Sequence, residues 1–88
     1  MDIETTLDTR QATHGDFELG AIISQRLCEV MREPSGWGKL TYAKKEALEM
    51  IAHKIARILN GNPDFADHWH DIAGYATRCE QLCTNYEG

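Results

Sequence analysis

Residues 50–75 run MIAHKIARILNGNPDFADHWHDIAGY, and the break in the middle of this stretch decides the fold. Before the break, Ile51, Ile55, Ile58 and Leu59, with Leu48 just upstream, recur at three- and four-residue steps, the period of a helix with one apolar stripe to bury. Asn60-Gly61 closes that helix, because glycine readily takes the left-handed conformation that a helix C-terminus often requires. Asn62-Pro63-Asp64 opens the next segment, with proline tolerated in a first turn and Asp64 favourable at the positive end. Phe65, Trp69, Ile72, Ala76, Cys79 and Cys83 then alternate by four and three, a second amphipathic helix. A turn this short makes the two helices neighbours.

Working outward, Thr41 can cap the helix that runs over 42–60, and the later helix spans about 64–84. Upstream, Leu19, Ile23, Leu27, Val30 and Met31 define another helix over 16–33, ended by Pro34-Ser35-Gly36. The connector 34–40 holds two glycines, and its Trp37 and Leu40 are placed to anchor it to the core. Residues 1–15 are polar apart from Ile3, Leu7 and Ala12, and are expected to form a flexible arm ending at Thr13-His14-Gly15. No strand-like alternation or internal repeat occurs. The fold class is therefore all-α, with three main helices in one small bundle over 16–88.

An 88-residue chain buries only about 60% of the surface its unfolded form exposes, so its stability is marginal unless copies associate. Several of Ile22, Ile23, Leu27, Val30, Met31, Met50, Ile51, Ile55, Ile58, Leu59, Trp69 and Ile72 also lie too far round their helices for one small core to cover. A homo-oligomer, most simply two-fold, is expected to cover the excess. The formal charge of −5 and the lack of a basic run argue against nonspecific nucleic-acid binding, which needs several cations on one face. No apolar run approaches the roughly 20 residues that span a bilayer. Three cysteines, an odd number, and an opening Met-Asp-Ile-Glu-Thr-Thr suit a reducing, cytoplasmic setting.

Chemistry is concentrated on the two helices of the opening stretch. Lys54 and Arg57 follow one line on the first, and Asp67, Asp71 and Tyr75 mark the second. Their meeting has two readings. Interhelical ion pairs on a solvated face contribute only about 0–1 kcal/mol each. A ligand site would instead use Lys54 and the forked guanidinium of Arg57 on phosphate oxygens, Tyr75 as a stacking platform for a base, and Asp67 and Asp71 to orient the cations or hold Mg²⁺. His53 is expected on the surface, and Trp69 in the core stripe. His68 and His70, two apart on a helix, point in different directions and make no metal pair. Cys79 and Cys83 share a face but lack further zinc ligands.

Glu46-Ala-Leu-Glu49, with a second pair of carboxylates at Asp64 and Asp67, resembles the acidic pairs of the all-α nucleoside triphosphate pyrophosphohydrolases of the MazG type. That resemblance implies Mg²⁺ held by Glu46, Glu49, Asp67 and Asp71. A longer match runs through Thr13-His-Gly-Asp-Phe17, Trp37, Leu40, Glu46 to Gly61, and Asp67-His-Trp-His-Asp-Ile-Ala-Gly-Tyr-Ala76. It is similar to a family of small proteins from tailed bacteriophages and prophages. This implies a phage origin and expression in the host bacterial cytoplasm.

Three functions follow as expectations. The first is binding of a phosphorylated nucleotide or nucleotide-derived signal through Lys54, Arg57, Asp67, Asp71 and Tyr75, sequestering it to counter host defence. The second is a Mg²⁺-dependent pyrophosphohydrolase using the acidic set. The third is an acidic inhibitor that covers a host protein.

Overall fold

The computed structural model describes residues 3, 10 and 12–87, with the side chains of 84–87 left aside. It is all-α, a small bundle of three helices: α1 (Phe17–Arg32), α2 (Tyr42–Asn60) and α3 (Ala66–Glu87), with a 3-10 turn over Ser35–Lys39. No strand occurs among the described residues. Among the described residues, no helix is long and apolar enough to cross a membrane.

Local chemistry sets the helix ends. Asp16 caps α1 by accepting the Leu19 amide at 3.1 Å, and Thr41 caps α2 by accepting that of Lys44 at 3.3 Å. The expected start of α3 at 64 moves to Ala66. The cause is Asn62, whose side-chain oxygen takes the Asp64 amide at 2.9 Å while its carbonyl takes the Phe65 amide at 3.2 Å. These bonds hold 62–65 in a turn that competes with the helix. In the connector Trp37 and Leu40 are half-buried as anchors, and Lys45 Nζ lies 5.6 Å from the Tyr42 ring.

The middle helix α2 packs on both neighbours, while α1 and α3 make at most a marginal contact with each other. The result is an elongated layer of 48 × 27 × 22 Å. Its buried residues, among those described, are Ser24, Cys28, Ala47, Ala52, Ala56 and His68. Small side chains let the helix backbones come close, but they bury little apolar area. Here the structure corrects the sequence-based stripes. Leu19 and Val30 on α1, Leu48 and Leu59 on α2, and Trp69 on α3 are exposed. The place expected for Trp69 is taken by His68, only 1% exposed, while the Trp69 indole donates to the Pro63 carbonyl at 2.8 Å.

Gly61 closes α2, but without the left-handed conformation: its φ is −122°. Glycine is required there for another reason. A Cβ on it would lie 2.4 Å from the Thr13 carbonyl oxygen, because the chain before α1 crosses directly over the α2–α3 turn. Most of the arm expected over 1–15 lies outside the described residues, but 12–14 is helical and Thr13 and His14 are docked.

Candidate functional site

The docked segment 13–16 forms a strap. The Asn62 amide donates to the Thr13 carbonyl at 3.0 Å, and Asn60 Nδ2 donates to the Asp16 carbonyl at 2.7 Å. Gly15, at φ +81°, makes the sharp bend and lies against the Asn60 carbonyl, which a Cβ would meet at 2.0 Å. Beneath the strap, His68 Nε2 lies 3.3 Å from both the Thr13 carbonyl oxygen and His14 Nδ1. The tautomer with a proton on His68 Nε2 donates to that carbonyl. The rings of His14 and Phe65 each stand 4.9 Å from that of His68. Burial lowers the His14 pKa below 6.5, and the positive fields of Arg57, His68 and Lys54 lower it further.

The strap is one wall of an open groove of about 940 Å³. Arg10, His14, Gly15, Asp16 and Phe17 line it from the strap side, Gly20, Ala21, Ser24 and Gln25 from α1, and His53, Ala56 and Arg57 from α2. Two arginines and two histidines surround a space large enough for a nucleotide, since small-molecule sites span about 300–1,000 Å³. Phe17 offers an exposed ring at its rim. Ser24 lies at its floor, and the buried Ser24 hydroxyl has no hydrogen-bond partner among the described residues.

The residues expected to bind ligand are divided among different surroundings. Lys54 and Asp71 meet across α2 and α3 at 2.8 Å, with the lysine side chain nearly covered. The hydrogen bond from Lys54 lowers the Asp71 pKa below 3.8, against a smaller opposing effect of burial. Arg57 does not join that pair and lines the large groove. Asp71 and Tyr75 line a separate shallow depression of about 300 Å³ on α3, with His70, Gly74 and Arg78. Asp67 is exposed and lines neither.

The acidic set is not gathered. Glu49 takes Arg32 at 2.7 Å, which turns it toward α1, whereas Asp71 approaches α2 from α3 on the other flank. Glu46 and Asp67 are exposed. Among the described residues no three His, Cys, Asp or Glu side chains come together as a metal-holding group.

Arg10, His14, Phe17 and Ser24 are groove residues that sequence reasoning did not single out, and His53 was expected on the surface rather than beside an acidic partner. For His14 and Phe17 the local signal is the Thr13-His-Gly-Asp-Phe17 run, where a glycine between polar residues marks a bend. No family model, curated protein or solved structure matches this chain.

Proposed function

We propose that this chain binds a phosphorylated nucleotide or nucleotide-derived signal in the groove between the strap, α1 and α2, and holds it without turning it over. The observation that carries this reading is the convergence of Arg10, Arg57, His14 and His53 with the exposed ring of Phe17 around one groove of nucleotide size. Arginine forks bind phosphate oxygens in pairs, and an aromatic face takes a base by stacking. The ligand set thus moves from the α2–α3 flank to the α1–α2 flank and keeps Arg57. Lys54 and Asp71 serve as a structural ion pair behind it, and Tyr75 lies outside it. Sequestration is favoured over pyrophosphohydrolysis because Glu49 is committed to Arg32 and the remaining carboxylates are dispersed. With the resemblance to phage proteins, the role is capture of a nucleotide signal that serves host defence in the bacterial cytoplasm.

The test is retention. Purified protein is incubated with mono-, tri- and cyclic nucleotides, with and without Mg²⁺, then filtered and denatured, and the released compounds are identified by mass spectrometry. An intact nucleotide, retained also in the presence of a chelator, is expected. Arg57→Ala should weaken binding about tenfold or more, since a hydrogen bond to a charged group is worth roughly 1.5–3 kcal/mol, while Asp67→Ala should leave it unchanged. A converted nucleotide would establish an enzyme. Protein that retains nothing would remove both nucleotide readings and leave the protein-inhibitor one.

A further inference from the structure

Of the apolar stripes that helical periodicity picks out, Leu19, Val30, Leu48, Leu59 and Trp69 are exposed. On α2, Glu49 reaches Arg32 of α1 on one flank and Lys54 reaches Asp71 of α3 on the other. Two edges remain between those flanks. One carries His53 and Arg57, which line the groove together with Ala21 and Gln25 of α1. Half a turn round from His53 and Arg57 lie Leu48, Ile55 and Leu59, and half a turn round α1 from Ala21 and Gln25 lie Ile23 and Leu27, with Leu19 and Val30 beside them. His14 of the strap lines the groove and reaches His68 of α3 at 3.3 Å, and Lys54 beside the groove edge reaches Asp71 of α3. Trp69 and Ala76 lie about 140–160° round α3 from Asp71, and half-buried Ile72 about 100° round. The layer therefore has a polar face with the groove and an apolar face behind it.

We infer that this apolar face is where a second copy of the chain packs. Two arguments select that occupant, and neither depends on the ligand reading. The first is area. Leu19 is 55% exposed, Val30 63%, Leu48 38%, Leu59 68% and Trp69 55%. Those five side chains leave roughly 600 Å² bare per copy, so a face-to-face pair covers about 1,200 Å², where specific interfaces of about 1,200–2,000 Å² begin. Half-buried Ile23, Leu27, Ile55 and Ile72 add to it. A monomer's largest apolar patch is typically about 300–600 Å², so the bare face lies at the top of that range before they are added. The second argument is charge. None of these nine residues is ionisable, and the charged residues one turn from the face's lines, Arg26 before Val30, Lys44 before Leu48 and Glu80 after Ala76, are two positive and one negative, so two chains of formal charge −5 can meet there without bringing their net negative charge into the seam. A two-fold axis through the face makes it self-complementary and leaves both grooves open. Apart from His68, the residues buried within one copy are alanine, serine and cysteine, and the pair supplies the cover that the large apolar residues lack in a single layer.

Sedimentation equilibrium of the full chain at micromolar concentration tests this. Twice the 10.0 kDa chain mass, or an even multiple of it, is expected. Leu59→Glu and Val30→Glu should each lower the mass, while Gln25→Glu on the opposite face should not. Circular dichroism follows the fold. If Leu59→Glu loses its helical signal, Leu59→Gln replaces it, with an expected weakening of association of tenfold or more at unchanged helicity. Parent protein sedimenting as a single chain overturns the inference. So does an odd-numbered assembly, or an assembly indifferent to both the Leu59 and the Val30 variants. A single chain that instead floats with phosphatidylcholine vesicles would assign the face to a lipid surface.

Discussion

Replacing Gly61 with alanine puts a Cβ 2.4 Å from the Thr13 carbonyl oxygen and 2.5 Å from the His14 carbonyl carbon. Both obstacles are backbone, so no side-chain rotation relieves the overlap, and the strap must shift by about 1 Å to restore van der Waals contact. That shift breaks the Asn62 amide bond to Thr13 at 3.0 Å and the His68 contacts at 3.3 Å, and it strains the Asn60 bond to Asp16 at 2.7 Å. At about 0.5–1.5 kcal/mol for each bond, docking of the strap loses roughly 2–4 kcal/mol. The strap can lift while the helices stay folded, so the sharpest assay is local. Hydrogen exchange at the Asn62 amide should accelerate by roughly 30-fold to nearly 1,000-fold, at about tenfold per 1.4 kcal/mol. Nucleotide binding should fall with it, because Arg10, His14 and Phe17 line the groove from the strap side. Unchanged Asn62 protection together with unchanged affinity in Gly61→Ala would refute the crossing and the wall it is said to form.

Gly74 is the opposite case, a mid-helix glycine on which a Cβ would meet nothing within 4 Å. Gly74→Ala should raise stability by about 1 kcal/mol in a denaturant titration. Because it lines only the smaller depression, nucleotide affinity should stay at the parent value. His14 has its pKa held below 6.5, so the undocked strap binds a proton more readily than the docked one. Docking is then strongest above 6.5 and weakens as the pH falls, until the lowered docked value is passed. Asn62 exchange, corrected for its intrinsic rate, should speed up on acidification in the parent and lose that dependence in His14→Gln. Asp71 has its pKa lowered from 3.8 by Lys54. Its contribution is present above 3.8 and is lost as the pH falls through the lower folded value, so Asp71→Asn should flatten the acid limb of a stability profile. Ser24→Ala removes a buried hydroxyl without a partner among the described residues and should leave stability unchanged or raise it by about 1 kcal/mol. A fall of similar size in its thermal melt would show the hydroxyl to be paired.

The sequence by itself determined the elements and their order. Apolar periodicity located three helices, Thr41 supplied a cap in its expected place, and the brevity of Gly61 to Phe65 made α2 and α3 neighbours, which brought Lys54 to Asp71. These are local signals, carried by residues within one or two turns of each other or across one short turn. Tertiary structure alone decided which face of each helix goes inward. Ala52 and Ala56 on α2, with Ser24 and Cys28 on α1, form the inner contacts because small side chains let the backbones approach, and this leaves Leu19, Val30 and Leu59 outside. Periodicity shows that a helix has an apolar stripe but not whether its own chain covers it. The strap was equally illegible. Thr13 finds Asn62 and His14 finds His68 across about fifty residues, and that closure is fixed by the close backbone crossing at Gly15 and Gly61, whose local signals, a bend and a helix end, name no distant partner.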